Sequence, residues 1–139
     1  MSVYRENATQ MNDADCLVKA LGAVRTASGK KWEPVVHKEK VNLKGYGGDT
    51  RAQKAEIVIP KNQVQGAAND IGFEKGPDGN FIAHISQYDS GFYNAQWLGE
   101  LKQEYAKEKV KKTARTIGAT FLGERKTKDG SIVYRFAKA

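Results

Sequence analysis

Residues 94–117, NAQWLGELKQEYAKEKVKKTARTI, are the only long segment whose apolar residues recur at helical spacing. Leu98, Leu101 and Tyr105 form one stripe, and Ala106, Val110, Ala114 and Ile117 continue it one position over, as in an amphipathic helix. Asn94 can accept the first free amide hydrogens as an N-cap, the interior carries no Gly or Pro after Gly99, and Gly118 supplies a C-terminal stop. The other face carries Lys102, Lys107, Lys109, Lys111, Lys112 and Arg115, with Glu100, Glu104 and Glu108 at pairing offsets of three or four residues. One face wants a core and the other wants water.

Outward from this helix, the chain reads as strands and hairpins. Downstream, ATFLGERK and SIVYRFAK flank Thr127–Gly130, where Asp129 and Gly130 suit a tight turn, so a hairpin is expected. In its second strand Ile132, Tyr134 and Phe136 alternate with Val133 and Arg135, giving one packing face and one face for solvent or a partner. Upstream, Ile71–Phe73 and Phe81–Ile85 flank Gly76–Gly79 as a second hairpin, with His84 on the side opposite Phe81 and Ile85. Ala55–Ile59, AEIVI, is a strand ending at Pro60, and its apolar run suggests a central position in a sheet. Trp32–His37 reads as a strand kept to an edge or a strand start by Pro34. Between these two, Val41–Lys54 is the least regular part of the chain and reads as a loop around Tyr46. Near the N-terminus a short strand over SVYRENATQ precedes a helix from about Asp13 to Arg25, capped by Asn12 or Asp13, with Cys16, Leu17, Ala20 and Val24 inward.

This order predicts a single α+β domain over 1–139: an antiparallel sheet with two helices on one face, ferredoxin-like with extra strands. At 139 residues and 40% hydrophobic the chain can bury a core without staples. A single cysteine builds no disulfide framework, no apolar run is long enough to span a bilayer, and MSVYRENATQ is polar from its second residue. A cytoplasmic location and no membrane partner are therefore expected. The net charge of +7 favours anionic partners, although a solvated lysine-rich surface is the plainer reading.

Catalytic and metal templates find no match. Only two histidines occur, His37 and His84, far apart on predicted strands, and Cys16 sits on an apolar stripe as a small buried hydrophobe. Asp13 and Asp15, two residues apart at a helix start, fit capping better than metal ligation. No cofactor is implied. GYGGDTR, residues 45–51, is rich in glycine but lacks the phosphate-loop lysine and serine and the dinucleotide fingerprint. Tyr46, Asp49, Thr50 and Arg51 make it a candidate binding loop. For nucleic acid, the basic face of Lys107, Lys109, Lys111, Lys112 and Arg115 is the alternative, with Tyr4, Trp32, Tyr46 and Tyr88 as aromatics that an exposed stacking surface would use. No RNA-recognition, KH or zinc motif accompanies them. Trp97 is expected to anchor its helix in the core.

Several segments together resemble the family called hypothetical chloroplast reading frame thirty-five, an uncharacterised domain of cyanobacteria, red-algal plastids, other bacteria and phages. They are DADCLVKAL (13–21), KGYGGDT with AEIVI (44–59), DIGF (70–73), WLGELKQEYA (97–106) and DGSIVYRF (129–136). The lysine-rich segment 28–44 and the basic helix after Tyr105 depart from that pattern. The resemblance implies a fold, a cytoplasmic or plastid-like location and a protein partner, with an AAA-type ATPase as the named possibility; it implies no activity and no catalytic residues. The sequence thus reads first as a small basic non-enzymatic binding or adaptor protein that engages a protein through the 45–51 loop and its flanking strand edge. Nucleic-acid binding is the second reading, and an enzyme using Asp70, His84 or Cys16 the last.

Overall fold

In the computed structural model, which describes residues 3–64 and 68–138, the chain runs β1 (Tyr4–Ala8), α1 (Ala14–Ala23), β2 (Val35–Lys44), β3 (Thr50–Ile59) and the single turn α2 (Lys61–Val64). It continues as β4 (Ile71–Lys75), β5 (Phe81–Ser86), a 3-10 turn (Asp89–Gly91), α3 (Ala95–Thr116), β6 (Ala119–Lys126) and β7 (Ile132–Lys138). Five strands form one sheet in the order β1-β5-β4-β3-β2, and β6 and β7 form a second, two-stranded sheet. The class is α+β, as the sequence predicts. Its layering is the expected one too, while the strand order is a β2-to-β5 meander closed by β1, antiparallel at every pairing, without the parallel pair of a ferredoxin-like sheet.

One face of the large sheet makes the core. Alternation turns Ile57, Ile59, Ile71, Phe73, Phe81, Ala83 and Ile85 toward Leu17, Ala20 and Leu21 of α1 and Trp97, Leu101 and Tyr105 of α3. Burying each large aliphatic or aromatic side chain contributes about 1.5–3 kcal/mol. Both helices begin where side chains can serve their free amides: Asp13 accepts from the Cys16 N–H at 3.0 Å and Asn94 from the Trp97 N–H at 3.0 Å. Gly118, at φ 75°, ends the long helix as expected. Two corrections concern aromatics. Trp32 and Tyr4 are buried rather than exposed: Trp32 joins a cluster with Tyr93 and Trp97, ring centroids 5.1 and 5.5 Å away, and its indole N–H donates to the Gln63 carbonyl.

The segment read as irregular, 41–54, is instead most of a long hairpin. Its two strands of ten residues each enclose a turn confined to Gly45–Asp49. Register shifts between Val36 and Val41 and between Asn42 and Lys44 break the two-residue alternation, which is why no strand was legible there. The same irregularities let the hairpin curl over the second face of the sheet. Leu43 and Ala55 thereby reach Tyr4 and Val58 in a smaller cluster, although β1 and β2 lie at opposite ends of the strand order.

The last three turns of α3 run beyond the core, whose α3 members stop at Tyr105. They carry the β6–β7 hairpin, through Lys107 to Glu124 at 2.8 Å and Lys111 over the Phe121 ring at 5.1 Å.

Candidate functional site

At one end of the sheet a set of buried polar groups fixes the loop that joins β2 and β3. Asp70 stands at the start of β4, and its carboxylate accepts from the Lys44 and Lys61 backbone amides, each at 2.8 Å. The Asp70 amide donates to the Lys44 carbonyl at 2.9 Å, and the Asp70 carbonyl accepts from the Tyr4 hydroxyl at 2.6 Å. Burial, with the Asp70 charge adding to it, holds the Tyr4 phenol protonated well above its ordinary range. Next to it, the Asn69 side chain accepts from the Tyr46 N–H at 2.9 Å and donates to Ser86 Oγ and to the Asp89 carboxylate. Asp89 also takes the Asn69 N–H at 3.1 Å, and burial raises its carboxyl above the usual value. All four of these polar residues are buried, and each finds partners, as interior polar groups must.

The loop itself is closed twice by its own backbone, Gly48 N–H to the Gly45 carbonyl at 2.9 Å and Gly45 N–H to the Asp49 carbonyl at 2.8 Å. Gly48 takes φ 82°, a conformation that favours glycine. Lys61 closes the arrangement from α2, its ammonium donating to the carbonyls of Gly45 and Tyr46 at 3.3 and 2.9 Å. Of the four residues expected here, Tyr46, Asp49 and Thr50 are exposed and Arg51 is half-buried. Asp49 pairs with Arg51 at 3.4 Å, Thr50 Oγ1 accepts from the Lys44 ammonium at 2.8 Å, and Arg51 lies over the Tyr4 ring at 5.4 Å.

Two further aromatics belong to this end and were not read from the sequence as part of it. Tyr88 donates its N–H to Ser86 Oγ at 3.1 Å, and the Phe92 N–H donates to the Asp89 carbonyl at 3.2 Å, so both hang from the same buried network as Tyr46. Tyr46, Tyr88 and Phe92 are 65%, 63% and 60% exposed. The segment QYDSGFYN carried a signal, aromatic residues among turn formers, but nothing local tied it to residues forty positions earlier.

The second candidate surface, the basic side of α3, is already largely neutralised. Lys107 pairs with Glu104 and Glu124, Lys111 with Glu108, and both Lys109 and Lys112 with Asp13, at 3.8 and 2.6 Å. The hydrogen bond to Glu124 raises Lys107 above the ordinary lysine value, and Asp13 does the same to Lys112. Arg115 is exposed at the far end of the row.

The residues considered for catalysis are not brought together. Cys16 packs in the helix-side core, where burial pushes its thiol up, and Asp70 is committed to backbone amides. His84 lies on the opposite face, its Nε2 2.7 Å from Glu74, which also receives Lys40 at 3.0 Å. Burial alone would raise the Glu74 carboxyl, but the bonds from His84 and Lys40 outweigh it and hold it below its usual value. Among the described residues no group of three His, Cys, Asp or Glu side chains could hold a metal ion, and no helix is long and apolar enough to cross a membrane.

The sequence model of the family described as "Protein of unknown function (DUF1257)" matches residues 31–134, three-quarters of the chain. The chain belongs to the DUF1257 family. No curated protein and no solved structure matches it. The DUF1257 match spans the 45–51 loop, the Asn69–Asp70 pair, Ser86, Asp89 and all three exposed aromatics, while β1 and α1 precede it.

Proposed function

We propose that this DUF1257 protein is a small non-enzymatic adaptor that engages a protein partner through the end bearing Tyr46, Tyr88 and Phe92. The observation that carries this reading is three exposed aromatic side chains whose backbones hang from one buried, satisfied polar network. Exposed aromatics held in place are what interface hot spots are made of: they bury large area and give up little conformational freedom on binding. Asn69, Asp70 and Lys61 hold the loop before any partner arrives. The Asp49–Arg51 pair and Lys44, bonded to the Thr50 hydroxyl, give the Tyr46 loop a polar rim. A non-enzymatic role is supported by the separation of Cys16, Asp70 and His84 and by the commitment of the Asp70 carboxylate to backbone amides. Resemblance to the hypothetical chloroplast reading frame thirty-five proteins makes an AAA-type ATPase the first partner to try.

Photo-crosslinking tests the reading. A benzoylphenylalanine placed at Tyr46 or Tyr88 in cells should give a discrete protein adduct that the same group at Arg125 does not give. Titration of the purified partner should then lose at least tenfold in affinity with Tyr46→Ala or Tyr88→Ala, about 1.4 kcal/mol or more. Adducts of equal yield from Arg125, or unchanged affinity in both variants, would refute the assignment. Nucleic-acid binding is less well supported, because four of the five basic residues on that face already have carboxylate partners.

A further inference from the structure

We infer that the groove between the C-terminal half of α3 and the β6–β7 hairpin is a docking site for an acidic amphipathic helix of another protein. The groove encloses about 520 Å3 and is walled by Val110, Thr113, Ala114 and Ile117 from α3, with Ala119 and Phe136 from the hairpin. Val110, Ala114 and Ile117 lie at offsets of four and three. They are the downstream half of the apolar stripe whose upstream half, Leu101 and Tyr105, is spent on the core. The downstream half has no such layer. Ile117 is 64% exposed and Phe136 39%, and no residue of β6 or β7 is buried.

An unfilled layer of this kind is short of burial. A two-stranded hairpin is marginal in water unless something packs on it, and one half-helix supplies only Ala114 as a buried residue. The groove is open along one side, which suits an external element better than an enclosed small molecule. Helical spacing along its α3 wall matches the anchors of a helix laid in a groove, repeating at three, four and seven residues.

Charge selects the occupant. The two charged residues lining the groove are Lys109 and Lys138, with no carboxylate among them, and Arg115 is exposed on the next turn. Lys109 shares the single Asp13 carboxylate with Lys112, so one negative charge faces two positive ones, and Lys109 keeps 45% of its side chain exposed. A second copy of the chain packed face to face would set Lys109 and Lys138 against themselves, whereas a helix with carboxylates beside its apolar stripe would meet complementary charge. This surface is distinct from the Tyr46 end. Phe92 precedes the N-terminus of α3, and the groove begins at Lys109, roughly 20 Å along the helix. Either surface can fail without the other.

The probe is a fluorescein-labelled sixteen-residue peptide with leucines at helical spacing and glutamates beside them, compared with the same peptide carrying lysines in place of the glutamates. The glutamate peptide should bind the whole protein, shift amide resonances chiefly within 109–119 and 136–138, and bind at least tenfold more tightly than the lysine peptide. Ile117→Glu and Lys138→Glu alter exposed side chains and should fold normally, each weakening binding tenfold or more. No shift at millimolar peptide, or equal affinity for the two peptides, would overturn the proposal. So would sedimentation showing a dimer that Ile117→Glu disperses, because the groove would then belong to a second copy.

Discussion

Asp13 joins the two long helices through one carboxylate. It caps α1 by accepting the Cys16 N–H at 3.0 Å, and it receives Lys112 at 2.6 Å and Lys109 at 3.8 Å from α3. Its own N–H donates to the Tyr105 hydroxyl at 3.0 Å. The hydrogen bond from Lys112 is the largest reason that its carboxyl is lowered to about 2, against an ordinary 3.8. A carboxyl depressed in the folded state contributes stability that is present above its unfolded value and lost as the pH falls toward the folded one. The stability midpoint should therefore drop between about pH 4 and pH 2 in chemical denaturation. Asp13→Ala removes cap and ion pairs together and should cost about 1–2 kcal/mol at pH 7. Asp13→Asn keeps the capping oxygen, so it should cost less and flatten the drop below pH 4; an equal loss in both variants would show that the capping oxygen is immaterial and that the charge carries the whole contribution. Local rules made this residue legible as a cap, just as they made Asn94 one and Cys16 buried. They could not reveal Lys112 as its partner, ninety-nine positions on. Trp32 and Tyr4 fail for the same reason, since their burial is decided by Tyr93, Trp97 and Asp70, none of them near in sequence.

The meeting of elements rests in one place on a missing side chain. Gly72 on β4 lies beneath the curled β2–β3 hairpin, and a Cβ added there would stand 2.8 Å from both the Ala55 Cβ and a Leu43 methyl. Leucine can rotate away, but the Ala55 Cβ is fixed to its strand. Gly72→Ala should consequently destabilise the protein by about 1–3 kcal/mol through overpacking, without loss of secondary structure in circular dichroism. Adding Ala55→Gly should recover part of that loss, because the same volume is then removed on the facing strand. If the double variant is simply the sum of the two single ones, the hairpin does not press on β4 as described. Elements with a clean period were legible in advance: α1, α3, both tight hairpins and the central β3. The β2–β3 hairpin was not, because its bulges scramble the alternation while producing the curl that brings Gly45–Asp49 to Asn69 and Asp70. So the candidate site was half visible: GYGG marked Tyr46 as a loop tip, but the network that joins it to Tyr88 and Phe92 exists only once the sheet has rolled.

At the scale of the whole molecule, α3 is the one element shared by two unequal bodies. Its first half closes a core of twenty buried residues, counted among those described, against the large sheet and α1. Its second half touches the first body through Lys109 and Lys112 on Asp13 and otherwise meets the β6–β7 hairpin, through half-buried side chains, the Lys107–Glu124 and Lys111–Phe121 contacts and the partly packed Phe121, Tyr134 and Phe136 rings. Cooperative opening follows buried apolar contact, so the second body should open at a lower free energy than the first. Hydrogen exchange at neutral pH is expected to release the amides of β6, β7 and the last two turns of α3 at least a hundredfold faster than those of β4 and β5. The N-terminal half of α3 should follow the core, placing the boundary near Tyr105. Uniform protection across both sheets would instead mean one cooperative unit and would remove the under-packed layer on which the groove's need for an occupant rests. Should the difference appear and then shrink when the glutamate peptide is added, the low local stability is that of a surface built to be completed by another chain.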